Sequence, residues 1–215
     1  MKSKYFSAIF FTSIVAVSFV GFIAWRYVEK HSPNLPFYGG GKTAVSREEV
    51  VKKNLPVVPY FEFIDQDSAL ISANFIQGKI WVANYFFTRC GIVCPKMSSQ
   101  LTRVQNEFEN NTMVKILSFS CDPERDTPSL LKSYAAIYGA DENQWRFVTG
   151  EKKPLYAFAR KGLNIVATDG DGSSDDFIHS QSLVLIDQEG FVRGYYDGME
   201  PSAVDQLILD IKKLM

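Results

Sequence analysis

Three cysteines and two histidines carry most of the chemistry open to this 215-residue chain. Two of the cysteines, Cys90 and Cys94, stand in the stretch FFTRCGIVCP, after an apolar run and before Pro95. At that spacing they are a structural disulfide, a redox pair, or two thiolates of a metal site. Thioredoxin-type redox centres use C-x-x-C, so the three residues between these thiols make a wider loop. Two thiolates bind a soft cation such as Cu(I) but leave it open to exchange; an imidazole would complete a trigonal site. His31 lies among prolines and glycines in HSPNLPFYGGGKT, with no partner nearby. His179 lies in DDFIHSQSLVLID, directly before an apolar strand, and is the candidate third ligand. The remaining thiol, Cys121, reads as a small buried hydrophobe, with an extra thiol near the site as the alternative.

Such residues need a scaffold that brings them together. Ile80–Phe87 is almost continuously apolar, as expected of a strand buried on both faces. Pro95–Glu109 has Met97, Leu101, Val104 and Phe108 on one face, with Pro95 at the first helical position. Met113–Ser120 reads as a second core strand. Pro128–Tyr138 is a helix capped by Thr127. Short strands at Tyr60–Ile64 and Trp145–Thr149 and a helix at Pro154–Lys161 follow the same logic. Ser182–Asp187 and Phe191–Tyr196 form a hairpin, and Ser202–Met215 closes the chain as a helix. The order predicts an α/β, thioredoxin-like central mixed sheet with helices on both faces. Cys90 then falls at the carboxyl end of a central strand, where open α/β sheets build their sites. Cys94 falls at the N-cap of the next helix, whose dipole is expected to lower its thiol pKa. The strand after His179 is expected beside the central one, placing its loop over Cys90 and Cys94.

The N-terminus has a different character. From Tyr5 to Trp25 no residue is charged, and such a run spans roughly 30 Å as a helix, a bilayer's thickness. Lys2 and Lys4 precede it, which argues for a cytoplasmic N-terminus and an extracytoplasmic domain. Residues 1–30 are therefore read as a single transmembrane anchor of the cell inner membrane, 31–44 as a Pro/Gly-rich tether, and 45–215 as the domain. A cleaved signal peptide is the alternative. No cysteine precedes Cys90 to carry a lipoprotein lipid. A net charge of −1, with no basic run, gives no support for nucleic acid as a partner. The acidic stretch Asp169–Asp176 lacks the glycine and glutamate that a calcium loop needs, and reads as a solvated loop.

Together, Cys90-x-x-x-Cys94-Pro95 after an aromatic strand, SFSCDPERDTP, and His179 before SLVLID resemble the Sco/SenC family from about Leu55 onward. That family's members are membrane-anchored, thioredoxin-like copper chaperones of cytochrome c oxidase assembly. The resemblance implies that Cys90, Cys94 and His179 are copper ligands for Cu(I) and also Cu(II). It implies as partners the oxidase CuA subunit, an upstream copper donor and a thiol reductant. Asp122 and Asp126, in the D-P-x-R-D-T match, are candidates for a supporting place behind the ligands, though the motif also has a structural reading, Asp126 and Thr127 as helix caps and Arg125 as a partner for a carboxylate. Cys121 and Gly91 depart from the family pattern, and neither removes a ligand. A thiol–disulfide oxidoreductase using Cys90 and Cys94 is the competing expectation. An imidazole across the pocket discriminates the two, because disulfide exchange does not need one. A peroxiredoxin-like peroxidase fits less well, since its reactive cysteine stands alone.

Overall fold

The computed structural model describes residues 35–39, 42–165 and 180–215. The apolar run, the acidic stretch and His179 lie outside them. Among the described residues no helix is long and apolar enough to cross a membrane.

The central strand is β5 (Ile80–Phe86), preceded by β1 (Phe37–Tyr38), β2 (Ala44–Val45), β3 (Glu62–Asp65) and β4 (Leu70–Ser72). It is followed by β6 (Val114–Ser120), β7 (Trp145–Thr149), β8 (Ser182–Ile186) and β9 (Val192–Asp197). Among the described residues these nine form one sheet in the order β2-β1-β9-β8-β5-β6-β7-β3-β4. β5–β6 and β6–β7 are parallel, and the other pairs are antiparallel. The expected mixed sheet is present, and every residue of β5 is buried, as its unbroken apolar sequence requires.

Alternation along β5 and β6 divides the core in two. Trp81, Ala83, Tyr85, Leu117 and Phe119 face one layer; Ile80, Val82, Phe86, Val114 and Ile116 face the other. On the second face lie α2 (Val93–Glu107), α3 (Pro128–Ile137) and α5 (Pro201–Leu214), which bury Met97, Leu101 and Val104; Leu131 and Tyr134; and Val204, Leu207 and Ile211. The first face is covered by α4 (Lys152–Ala157) and the π-helical turn Phe158–Gly162 that continues it. One further helix, α1 (Arg47–Lys53), begins with a capping box between Ser46 and Glu49.

Residues 37 and 38, in the stretch expected as a tether, pair with β9 through Tyr38 and Val192. The buried Arg193 guanidinium fastens them. It donates to the Pro36 and Leu35 carbonyls at 3.0 and 2.5 Å, pairs with Asp187 at 2.8 Å, and lies 3.8 Å over the Phe37 ring.

At the functional end, β8 lies antiparallel beside β5, Ala83 opposite Val184. This is the neighbour the sequence predicted. It brings the start of β8 to the end of β5, where the chain enters the cysteine loop. β6, on the other side of β5 with Phe86 opposite Ser120, delivers the Asp122–Thr127 loop to the same end.

Candidate metal centre

After Phe86 the chain turns, with the Cys90 N–H donating to the Phe87 carbonyl at 3.2 Å, and α2 begins at Val93. The N-cap is Ile92, whose side chain accepts nothing. The first N–H groups of a helix need acceptors from outside it. Here one acceptor is a sulfur: the Cys94 N–H donates to Cys90 Sγ at 3.3 Å. Burial opposes ionisation of Cys90. Hydrogen bonds from the Cys94, Ile92 and Val93 backbones, with one from the Cys94 thiol, outweigh it and bring the pKa of Cys90 below the ordinary thiol value.

The expectation for Cys94 is corrected on both counts. It occupies the second helical position rather than the N-cap, and Pro95 is third rather than first. Its side chain points into the core at 4% exposure, and burial pushes its thiol up to about 12. The Phe87 N–H works the other way, and the neighbouring Cys90 and the charge of Asp126 add to the rise. Desolvation dominates at Cys94, while the N–H groups at the start of the helix act on Cys90 instead. One sulfur is half-buried with its pKa lowered, the other buried with its pKa raised; none of the three cysteines is in a disulfide.

Asp126 is completely buried and is held by neutral donors. It accepts from Thr88 Oγ1 at 2.5 Å, from the Thr88 N–H at 3.3 Å, and from Ser120 Oγ at 2.5 Å. It thus ties the start of the cysteine loop to the end of β6. Asp122 pairs with Arg125 at 3.1 Å, and its N–H donates to Ser120 Oγ at 3.0 Å. Thr127 Oγ1 caps α3, accepting from the Leu130 N–H at 3.4 Å, with Pro128 following as expected.

Cys121 is 2% exposed and belongs to the aromatic core of the first face, as expected of a small hydrophobe. Its N–H and thiol both donate to the Phe86 carbonyl, at 2.8 and 3.2 Å, and burial raises its pKa well above the ordinary thiol value. It also reaches the cavity at the end of the sheet, a space of about 370 Å³. The walls of that cavity are Cys90, Cys94 and Cys121, the aromatic residues Tyr85, Phe86 and Phe87, Val93, and Ser180 and Gln181. This is the alternative that the sequence left open for Cys121, an extra thiol near the site. The signal was its place directly after a core strand parallel to the one that carries Cys90.

Among the described residues no group of three or more His, Cys, Asp or Glu side chains is arranged to hold a metal ion. Cys90 and Cys94 are two candidate soft donors there, and a trigonal site would need a third. His179 lies outside the described residues, while Ser180, the next residue along, lines the cavity.

Comparison with known proteins agrees with this architecture. The SCO1/SenC family profile matches residues 50–215. A SCO1 protein homolog of Bacillus subtilis is 35% identical over 161 residues, covering 74% of this chain and 82% of that protein. The solved structure of BsSco, a member of the Sco family of cytochrome c oxidase assembly proteins in which a disulfide switch was identified, is 34% identical. It covers 74% of this chain and 92% of its own, with a TM-score of 0.63. Yeast Sco1 with copper bound shares the fold at 21% identity and a TM-score of 0.57, over 74% of this chain and 90% of that one.

Proposed function

This chain belongs to the SCO1/SenC family, and from that premise we propose that it is a membrane-anchored copper metallochaperone of cytochrome c oxidase assembly. In this reading Cys90, Cys94 and His179 hold Cu(I), and Cu(II) in an oxidised form, as cargo. The protein delivers the metal to the CuA centre of the oxidase or prepares that centre's cysteines. One observation carries the reading: the two cysteines line a cavity that Ser180, the residue after His179, also lines.

The donor set suits the cargo. Thiolates select Cu(I), and an imidazole adds a borderline third ligand without closing the site to exchange. The N–H groups that turn toward Cys90 Sγ favour its thiolate. Cys94 must lose its proton on binding, so loading releases protons and strengthens as pH rises. Asp126 holds Thr88, and through it the start of the loop, while Arg125 neutralises Asp122 at the surface. Residues 1–30 would anchor the protein in the inner membrane, N-terminus inside, with the domain on the periplasmic side. An upstream copper donor and a thiol reductant complete the cycle, because a Cys90–Cys94 disulfide consumes both ligands.

The asymmetry of the two thiols also favours a second reading, an extracytoplasmic thiol–disulfide oxidoreductase. The Cys90 thiolate would attack a target disulfide to give a mixed disulfide. Cys94 would then displace the target as a dithiol, leaving a Cys90–Cys94 disulfide for a reductant to reopen. His179→Ala separates the readings. Cells carrying it should assemble an oxidase short of CuA copper, while the purified variant still reduces disulfides. A fully copper-loaded oxidase in those cells would replace the chaperone with the reductase.

A further inference from the structure

The cysteine loop carries an apolar side chain that the fold does not use. We propose that Ile92, flanked by the cations Arg89 and Lys96, is the docking point for a thiol-bearing partner protein with an apolar recess and an acidic rim. The inference rests on the function proposed above, in which that partner is the CuA subunit of the oxidase, and deepens it.

Ile92 stands at the N-cap of α2 and is 76% exposed, more than any other large hydrophobic among the described residues. Isoleucine is a poor N-cap residue, and an exposed one gains nothing from burial. The chemistry of Cys90 explains half of this choice. A capping serine or threonine takes the N–H of the second or third helical residue. The third is Pro95, which has none, and the second is Cys94, whose N–H goes to Cys90 Sγ. A capping side chain would therefore compete with the sulfur for its hydrogen bond. Alanine would avoid that competition equally well. The bulk and apolarity of Ile92 are left for a surface that meets it from outside.

The neighbouring sulfur decides what that surface belongs to. Metal transfer and disulfide exchange both put a partner's sulfur within bonding distance of Cys90 Sγ. Cys90 is half-buried in the cavity wall, two residues before Ile92. A protein that reaches the sulfur must cover the loop, and Ile92 with it. Val93, the next residue, is half-buried and lines the cavity, so apolar surface leads from Ile92 toward the thiols. The charges give the partner its sign. Arg89 and Lys96 are both exposed, and Lys96 lies one helical turn beyond Ile92. On the neighbouring loop Arg125 is paired with Asp122, and Glu124 is exposed. The cations therefore gather on the cysteine loop and the acid on the other, which fixes the way round in which an acidic rim can approach. Ile92 supplies most of the binding, while Arg89 and Lys96 speed the encounter.

The test uses the full chain in lipid nanodiscs and the soluble CuA domain of the oxidase, both reduced and copper-free. Binding is followed by surface plasmon resonance at low and at high salt. Ile92→Ala should weaken it about tenfold, and Ile92→Val should restore most of the loss. Arg89→Gln combined with Lys96→Gln should slow association several-fold at low salt and flatten its salt dependence, whereas Glu124→Gln should not slow it. A wild type that does not bind, or that pairs with a second copy of itself instead, would overturn the proposal. Wild-type binding by Ile92→Ala, or faster association without the two cations, would do the same. So would a loss of binding matched by an equal loss in the rate of Cys90 alkylation, which would trace the effect to the setting of the sulfur. Cu(I) uptake by the reduced wild type reports separately on the copper reading. Uptake without docking removes this inference and leaves that reading standing; docking without uptake does the reverse.

Discussion

Two loops leave adjacent parallel strands at the same end of the sheet, and they are built in opposite ways. The Asp122–Thr127 loop is closed by side-chain hydrogen bonds: Asp126 is gripped by Thr88 and Ser120, Asp122 by Arg125 and Ser120, and Thr127 caps the next helix. The Cys90–Cys94 loop has almost none of this. Its N-cap is the exposed Ile92, no atom lies within 4 Å of where a Cβ on Gly91 would sit, and a thiol stands in for the capping group. The difference separates support from chemistry. Side-chain hydrogen bonds are concentrated in the Asp122–Thr127 loop, which holds the start of the cysteine loop through Thr88. The cysteine loop's own acceptors are left for whatever its sulfurs meet.

The largest effect expected from this contrast is in reactivity. Iodoacetamide should modify Cys90 first and Cys94 hardly at all below strongly alkaline pH. Thiolate is the reactive form, and the pKa of Cys90 is lowered while that of Cys94 is pushed up to about 12. A pH profile followed by peptide mapping should show the Cys90 rate levelling at a lower pH than in an unfolded control. Equal rates at the two cysteines would erase the asymmetry.

Next in size is the rigid loop. Asp126→Ala strips the acceptor from the buried Ser120 hydroxyl and from the half-buried Thr88 hydroxyl and amide, and should cost about 3 kcal/mol in urea unfolding. A loss below about 0.5 kcal/mol would mean that the cage does not hold the loop. Cys121→Ala removes a sulfur from the aromatic core and should cost on the order of 1 kcal/mol, leaving copper stoichiometry unchanged. The smallest change is Gly91→Ala. Its Cβ meets nothing and its backbone is outside the left-handed region, so it should stabilise by about 0.5 kcal/mol through the unfolded chain alone. Destabilisation there would show that the cysteine loop is less open than its contacts indicate.

The sequence made the scaffold readable wherever pattern was strong. The all-apolar β5, the amphipathic α2 and α5 and the β8–β9 hairpin follow directly from period and turn chemistry. Cys90 at the strand end was legible for the same reason. β1 and β2 are two-residue strands and β4 has three residues, too short to carry any alternation. The roles of the two cysteines were harder. Ile92 gives no capping signal, so nothing in the sequence says that the helix N–H groups turn to Cys90 instead. Asp126 reads naturally as a capping residue at the start of a helix. Its real grip on Thr88 crosses 38 positions of chain and emerges only once β5 and β6 are paired.

The central claim is that Cys90, Cys94 and His179 close on one Cu(I). X-ray absorption on the reduced chain loaded with Cu(I) under argon tests it most directly, wild type beside His179→Ala. The account predicts two sulfur neighbours and one nitrogen in the wild type, and loss of the nitrogen in the variant. Three sulfurs in the wild type, or identical spectra from the two proteins, would contradict it.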